Sequence, residues 1–251
     1  MSARRQRQMC IRDSFNLFKP KARGWECLGP SVLAKAATFE NSCDLSMWMA
    51  TRYKANKTDD SFSKWQLEHT SVLNKLNLHL QTEYPNEKIH MECPTQKIPL
   101  HGNVLYGTPD AVVEFSNGDL LIADAKSGKK SQSHWIQCGI YGVMLQAAAW
   151  SKKKPIPKII GFALCYGEEN SSKSDKENKQ FLTITGDNAT DEVLPESTKK
   201  RIRNILRVSS ATDMPDAKPS ANNCRYCEWK LGCPKAIETS HEVTADASHF
   251  L

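Results

Sequence analysis

The feature that most constrains this chain is a pair of apolar segments joined by a tight turn and bounded by charged residues. Residues 107–128 read GTPDAVVEFSNGDLLIADAKSG. An Asn-Gly pair between two apolar segments is the strongest short-range signal of a β-hairpin, so we predict two antiparallel strands here. Asp110 opens the first strand, and Asp124 and Lys126 end the second. Apolar residues at these three positions would stabilise a sheet better. Their positions therefore indicate a chemical role.

The outer ends of two hairpin strands lie side by side, because antiparallel neighbours are about 5 Å apart. Asp110 and Asp124 would repel each other unless a cation lay between them. Carboxylate oxygens suit Mg²⁺ or Mn²⁺, which can also hold a phosphate oxygen and a water molecule. Lys126 faces the same side of the sheet as Asp124 and can steady a phosphate or assist the attacking water, with Glu114 as a weaker candidate for that face. The alternative is that Asp110 caps a turn and the other two form a surface ion pair.

Periodicity along the rest of the chain predicts helices on both sides of several strands. The predicted helices are one or two short ones over 31–53, a long amphipathic one from about 59 to 84 whose apolar positions include Trp65, and two more over 133–150 and 191–208. Further strands are predicted at 88–93, 158–167 and 179–186. This order indicates an α/β protein with a central sheet flanked by helices.

The first residues need separate treatment. Residues 4–13, RRQRQMCIRD, are what a common transposase sequencing adapter encodes, so we interpret residues 1–13 as an assembly artefact; a basic arm is the alternative. Without their four arginines and one aspartate, the formal net charge falls from +6 to +3, which permits nucleic-acid binding without arguing for it.

The composition indicates a soluble protein, because no apolar segment approaches the ~18 residues of a membrane span. We see no signal peptide and expect a reducing cytoplasm, in a bacterial, archaeal or phage-infected host cell, where the nine cysteines are thiols or metal ligands.

Three of the cysteines are clustered near the end of the chain. Cys224, Cys227 and Cys233 have the spacing C-x₂-C-x₅-C in a loop-rich segment. A closed zinc site or a cubane cluster needs a fourth ligand, and no histidine follows at a short spacing, so that ligand must come from far away in sequence. The cysteines of apolar segments are predicted to be core residues: Cys93, Cys138 and Cys165.

Pro-Asp followed by Asp-x-Lys resembles the PD-(D/E)XK nuclease superfamily, and the neighbouring residues resemble its RecB-like branch. That branch adds a histidine before the hairpin, matched by His69, and a Gln-x-x-x-Tyr motif after it, matched by Gln137 and Tyr141. The resemblance implies a restriction-endonuclease-like core with a mixed central β-sheet. Asp124 departs from many RecB-like members, which have Glu there.

The resemblance also implies a role for each matched residue. Metal would be bound by His69, Asp110, Asp124 and the Ala125 carbonyl. Lys126 would assist the water, and Gln137 and Tyr141 would orient the DNA strand. Lys129 and Lys130 adjoin this site and are expected to meet the phosphate backbone. Charge runs elsewhere are expected to be solvated faces, and a core role is favoured over base stacking for two aromatic residues: Trp135 and Trp229.

Some RecB-like nucleases, including the AddB subunit and the four-cysteine CRISPR-associated exonuclease, hold a [4Fe–4S] cluster between one cysteine before the core and three after it. The resemblance implies such a cluster on Cys43, Cys224, Cys227 and Cys233, with Cys27 as the runner-up to Cys43 and Zn²⁺ as the competing metal. It implies a nuclease core over 14–210 and a cysteine-cluster segment over 211–251 that packs back on the N-terminal helices.

The expected function is a Mg²⁺- or Mn²⁺-dependent DNA exonuclease. It would act on single-stranded DNA or DNA ends in recombination, repair, phage DNA processing or CRISPR adaptation. Its partners would be DNA and proteins of those pathways, with no membrane. The alternative is an accessory subunit that binds DNA ends and has little nuclease activity of its own.

Overall fold

The computed structural model describes residues 19–20, 27–38, 43–54, 59–167, 180–225, 227–233 and 235–237. The segment interpreted as an artefact, residues 1–13, lies outside this part of the chain. None of the helices in the described ranges is long and apolar enough to cross a membrane.

The described residues form short strands and helices in mixed order. The strands are β1 (Lys19–Pro20), β2 (Cys27–Leu28), β3 (Tyr53–Lys54), β4 (Lys88–Met91), β5 (Gln96–Leu100), β6 (Asn103–Gly107), β7 (Ala111–Glu114), β8 (Leu120–Lys126), β9 (Ile159–Tyr166) and β10 (Phe181–Thr185). The helices are α1 (Pro30–Thr38), α2 (Asp44–Arg52), α3 (Asp59–Glu83), α4 (Gln132–Ser151), α5 (Ala189–Val193), α6 (Glu196–Ser209) and α7 (Ala221–Arg225), followed by a 3₁₀ turn at Lys230–Gly232.

The central sheet has five strands in the order β10-β9-β8-β7-β4. The β8–β9 pair is parallel and the other three pairs are antiparallel. One face packs against α3 through Val72, Leu76 and Leu80. The other face packs against α1, α4 and α6 around Phe162 and Ile122. The prediction of a mixed sheet flanked by helices is therefore confirmed.

The predicted hairpin is present as β7 and β8, and Asn117 and Gly118 lie in its turn, a three-residue loop over 116–118. The Phe115 N–H donates to Asp119, and Gly118 adopts a φ of 86°, which glycine accommodates without steric cost. The predicted long helix is α3, and the helix predicted over 133–150 is α4.

Two predictions about helices need correction. The single helix predicted over 191–208 is two, α5 and α6, because Pro195 lies between them and the residue before a proline is disfavoured in helical geometry. Trp65 does not belong to the buried face of α3: it is 47% exposed, whereas the α3 residues that pack on the sheet, Val72, Leu76 and Leu80, lie in later turns of the helix.

A smaller sheet, which periodicity did not predict, has the order β2-β6-β5. Its β5 strand contains Pro99, a residue that removes a backbone donor and argues against a strand. Because β5 is an edge strand, that lost donor is tolerated there.

The two ends of the described chain meet beside α2. Leu45 and Met49 of α2 pack with Trp229, which is 4% exposed. The Trp48 indole N–H donates to the Ala211 carbonyl at 2.9 Å, and Arg52 donates to the same oxygen at 2.8 Å. Residues more than 150 positions apart are thereby joined.

Candidate active site

The hairpin register brings two aspartates to one end of the central sheet. Ala111 pairs with Ala123, so Asp110 and Asp124 lie opposite each other just beyond that pair. The backbone N–H of Ala125 donates to Asp110 Oδ2 at 2.8 Å. Asp124 is 1% exposed, on the same face of β8 as the core residue Ile122. The carboxylates are thus held by the sheet itself.

Burial and a nearby negative charge raise the pKa of Asp110 strongly. Removal from water raises the pKa of this carboxyl most, and the charge of Asp124 raises it further, to about 8. The Ala125 N–H and the Lys126 ammonium act in the opposite direction without cancelling the rise. Two carboxylates this close are ionised together only when a further positive charge stabilises them.

Lys126 links the carboxylates to helix α4. Its ammonium contacts Asp124 Oδ2 and donates to Gln137 Oε1 at 2.9 Å. Burial would lower the pKa of Lys126, but Asp124 more than offsets this, so the net shift is upward and the ammonium stays charged. Gln137 Nε2 in turn donates to the Tyr141 hydroxyl at 3.3 Å.

Gln137 and Tyr141 were expected to reach the DNA strand, and both are buried, at 7% and 6% exposure. Burial raises the pKa of Tyr141, so its hydroxyl remains protonated. Instead, Gln137 contacts Lys126, and Tyr141 contacts Gln137. The pair thus holds the Lys126 ammonium toward Asp124.

His69 approaches the site from α3. Its Nε2 lies 3.7 Å from Asp110 Oδ1, and its ring stacks on Trp65 with centroids 5.0 Å apart and planes 9° from parallel. Burial lowers the pKa of His69, which favours the neutral imidazole that can act as a metal ligand.

The donors fit a hard divalent cation. Asp124 Oδ2 is buried without a hydrogen bond of ordinary geometry, although it lies against the Lys126 ammonium. Oxygens of Asp110 and Asp124 are the ligand type that Mg²⁺ and Mn²⁺ prefer. Across the described residues, no three or more His, Cys, Asp or Glu side chains are gathered closely enough to hold a metal ion as they stand.

Glu114, the weaker candidate, lies at the other end of β7. It accepts from His90 at 2.8 Å and from Lys88 at 3.3 Å. Together with His90 it lines a cavity of about 580 Å³ that also reaches Lys154 and the hairpin turn. Neither Asp110 nor Asp124 lines this cavity, so Glu114 belongs to a different surface.

Two residues beside Lys126 were missed in the sequence. His134 Nδ1 lies 3.0 Å from the hydroxyl of Tyr166, which pairs with Lys126 across β8 and β9. Burial, reinforced by the charge of Lys126, lowers the pKa of His134 to about 4. The available signal was helical spacing, because His134 precedes Gln137 by three positions on α4 and shares its face.

Basic residues lie both beside the site and on α6. Lys129 and Lys130 are exposed just after β8, and the Lys130 ammonium lies 5.8 Å from the centroid of the Tyr166 ring. On α6, Lys199 is paired with Asp191 and Arg203 with Glu196.

Seven of the eight cysteines that the structure describes fall into two groups. Buried in the core, as predicted, are Cys93, Cys138 and Cys165. One pocket of about 20 Å³ is lined by four more: Cys43, Cys224, Cys227 and Cys233. Cys27 instead lies in β2, where it pairs with Val104. Burial raises the pKa of Cys227 and of Cys233, which favours the protonated thiol over the thiolate at both residues.

Comparison with known proteins relates the chain to one superfamily. A search of the curated proteins found no match. The solved structure described as "Crystal structure of SSO0001" aligns with 93% of this chain and 98% of its own chain, at 14% identity and a TM-score of 0.40. The family model of the PD-(D/E)XK nuclease superfamily matches residues 33–234, which include the carboxylates, Lys126 and all four pocket cysteines. The chain therefore belongs to the PD-(D/E)XK nuclease superfamily.

Proposed function

We propose that this protein is a divalent-metal-dependent deoxyribonuclease of the RecB-like branch that shortens DNA from its ends and prefers single strands. Members of the superfamily are typically metal-dependent nucleases. The observation that carries the proposal is the apposition of Asp110 and Asp124 with the Lys126 ammonium in contact with Asp124. A protein that only binds DNA has no need of paired carboxylates where phosphate must approach.

The residues of the chain have distinct tasks in this proposal. Asp110 and Asp124, with the Ala125 carbonyl and His69, would hold Mg²⁺ or Mn²⁺. When bound, the metal would supply a Lewis acid for the phosphate and a more acidic water. The Lys126 ammonium would donate to a phosphate oxygen and orient the attacking water. Gln137, backed by Tyr141, would keep that ammonium in position.

Membership of the RecB-like branch is supported by the additional residues. His69 contacts Asp110, and the Gln137–Tyr141 pair contacts Lys126, so both features of the branch adjoin the carboxylates. The exposed Lys129 and Lys130 next to β8 would neutralise backbone phosphates.

We also propose that the four pocket cysteines hold a [4Fe–4S] cluster, with Zn²⁺ as the competitor. Four cysteines from distant parts of the chain line one pocket, and thiolates suit either metal. A pocket of about 20 Å³ has room for one water-sized sphere, so a four-iron cluster would have to spread the cysteines further than a single ion would. In either case the metal would tie α2 to the C-terminal segment rather than take part in cleavage.

The test is the Asp110→Ala variant on end-labelled single-stranded DNA with Mg²⁺ or Mn²⁺. Cleavage should vanish while DNA binding persists, because a metal donor is lost but the basic surface is kept. Glu114→Ala is the matched control, since this acid lies at the far end of the same strand. Wild-type protein that binds DNA but cuts nothing would establish the accessory, end-binding subunit instead. The pathway, whether recombination, repair, phage DNA processing or CRISPR adaptation, would follow from the DNA end that is preferred.

A further inference from the structure

Trp65 lies next to the carboxylate site. It precedes His69 by one helical turn on α3, and the two rings are stacked almost in parallel. His69 Nε2 in turn lies 3.7 Å from Asp110 Oδ1. A continuous path of contacts therefore leads from the proposed metal ligands through an imidazole to an indole.

Trp65 differs from the other tryptophans that the structure describes. Trp229 is buried, Trp135 packs against the main core and Trp48 is only partly exposed in the cluster around α2. Trp65 is 47% exposed, and water on so large an apolar ring is unfavourable. Trp150 is more exposed, at 73%, but it lies in the last turn of α4, about 20 Å beyond Gln137 along the helix.

We infer that Trp65 is a stacking platform for an unpaired base of the DNA strand whose phosphate is bound at the carboxylates. This inference rests on the proposed nuclease function. An exposed indole can stack on any base, because every base has a π-face, and such stacking is independent of sequence. In a duplex, the faces of internal bases are already covered by their neighbours. Trp65 therefore favours single strands and frayed ends over paired DNA.

The first experiment needs only the wild-type protein. Its affinity is measured without divalent metal for a fluorescent single-stranded oligonucleotide and for one of equal length and charge with abasic positions near both ends. The normal strand should bind on the order of tenfold more tightly, since phosphate contacts are shared and stacking is not. Equal affinity for the two strands would overturn the inference.

The variants assign this preference to one residue. Trp65→Ala and Trp65→Leu should remove most of the preference for the normal strand, whereas Trp65→Phe should keep much of it. Trp150→Ala is the matched control and should behave as wild type. A preference that survives in both Trp65→Ala and Trp65→Leu would contradict the inference.

Cleavage is measured separately in Mn²⁺. If the preference for normal strands is lost in Trp65→Ala but the wild type cuts neither strand, Trp65 remains the stacking platform and the nuclease proposal is rejected. If the protein cuts DNA but binds both strands equally, the platform inference is rejected and the nuclease proposal stands.

Discussion

At the scale of single residues, Lys126 depends on its neighbours for both its charge and its position. Burial alone would favour the neutral amine, yet Asp124 keeps the ammonium charged and Gln137 fixes its direction. The same buried charge is what makes Asp124 tolerable inside the sheet, because an isolated carboxylate there would be costly. Lys126 and Asp124 therefore form a local ion pair, and a change in one alters the other.

Replacing Lys126 with methionine keeps the length of the side chain and removes its charge. Cleavage of end-labelled DNA should fall by about 10²- to 10⁴-fold, the range for loss of a group that positions or transfers a proton. Gel electrophoresis under single-turnover conditions measures the rate. Lys152→Met, at the exposed end of α4, is the control. An unchanged rate in Lys126→Met would remove Lys126 from the mechanism.

The raised pKa of Asp110 predicts how the stability of the metal-free protein depends on pH. The folded state keeps a proton on this carboxyl up to about pH 8, whereas the unfolded chain releases it near its ordinary value of 3.8. The contribution of Asp110 to the free energy of unfolding should therefore decrease as the pH rises through this interval. Urea unfolding in chelator at pH 5 and pH 8 measures the change.

Asp110→Asn is the control for this measurement, because the amide cannot ionise. The variant should lose less stability between pH 5 and pH 8 than the wild type. Equal losses would mean that burial and Asp124 do not shift Asp110 as described.

At the scale of elements, helix α4 determines how well the site is supported. It carries Gln137 and Tyr141, and nearly every position of its central turns is buried. Close packing against α5 is possible because residue 139 is glycine: a Cβ there would lie 2.5 Å from Leu194 Cγ and 2.9 Å from Val193 Cγ1. The position of Gln137 thus depends on a contact on another face of its helix.

Gly139→Ala should destabilise the protein by about 1–3 kcal/mol, the usual cost of overpacking a core. This is opposite in sign to the roughly 1 kcal/mol gain expected for Gly→Ala within an unconstrained helix. The free energy of unfolding in urea is the measurement. Gly128→Ala is the comparison, since a Cβ there would meet no atom within 4 Å. A more stable Gly139→Ala protein would show that α5 yields to the added methyl.

At the scale of the whole molecule, distant segments of the chain are held together around the nuclease sheet. The contacts of α2 with Ala211 and Trp229, and the pocket shared by Cys43 and the three later cysteines, connect residues on either side of the carboxylate hairpin. A metal in that pocket would stabilise the folded state by restricting the unfolded chain over a long loop.

Cys43→Ala should lower the iron or zinc content and the temperature of thermal unfolding, while the folded protein still cleaves DNA. Cys27→Ala should retain its metal, because Cys27 lies in β2 and does not line the pocket. Metal analysis of anaerobically purified protein, with circular dichroism on heating, measures both. Loss of metal in Cys27→Ala but not in Cys43→Ala would mean that Cys27, rather than Cys43, is the fourth ligand.

The sequence by itself was enough to predict the hairpin, α3, α4 and the core cysteines. Each depends on local chemistry: an Asn-Gly turn, alternation along strands, or apolar spacing along helices. The sequence was insufficient to predict β5, because Pro99 argues against a strand unless the strand lies at the edge of a sheet. It was also insufficient to predict the exposure of Trp65, because that depends on which turns of α3 pack against the sheet. Spacing along a helix defines a face but does not say what covers it.

The sequence determined that Asp110, Asp124 and Lys126 share one end and one face of a hairpin, because strand register and side-chain alternation are properties of the chain itself. Only the tertiary structure decided that Gln137 would contact Lys126, that His69 would approach Asp110, and that Glu114 would be held by β4 instead. It also decided that Cys43 rather than Cys27 faces the C-terminal cysteines. These contacts join segments far apart in sequence, so they depend on the packing of whole helices against the sheet.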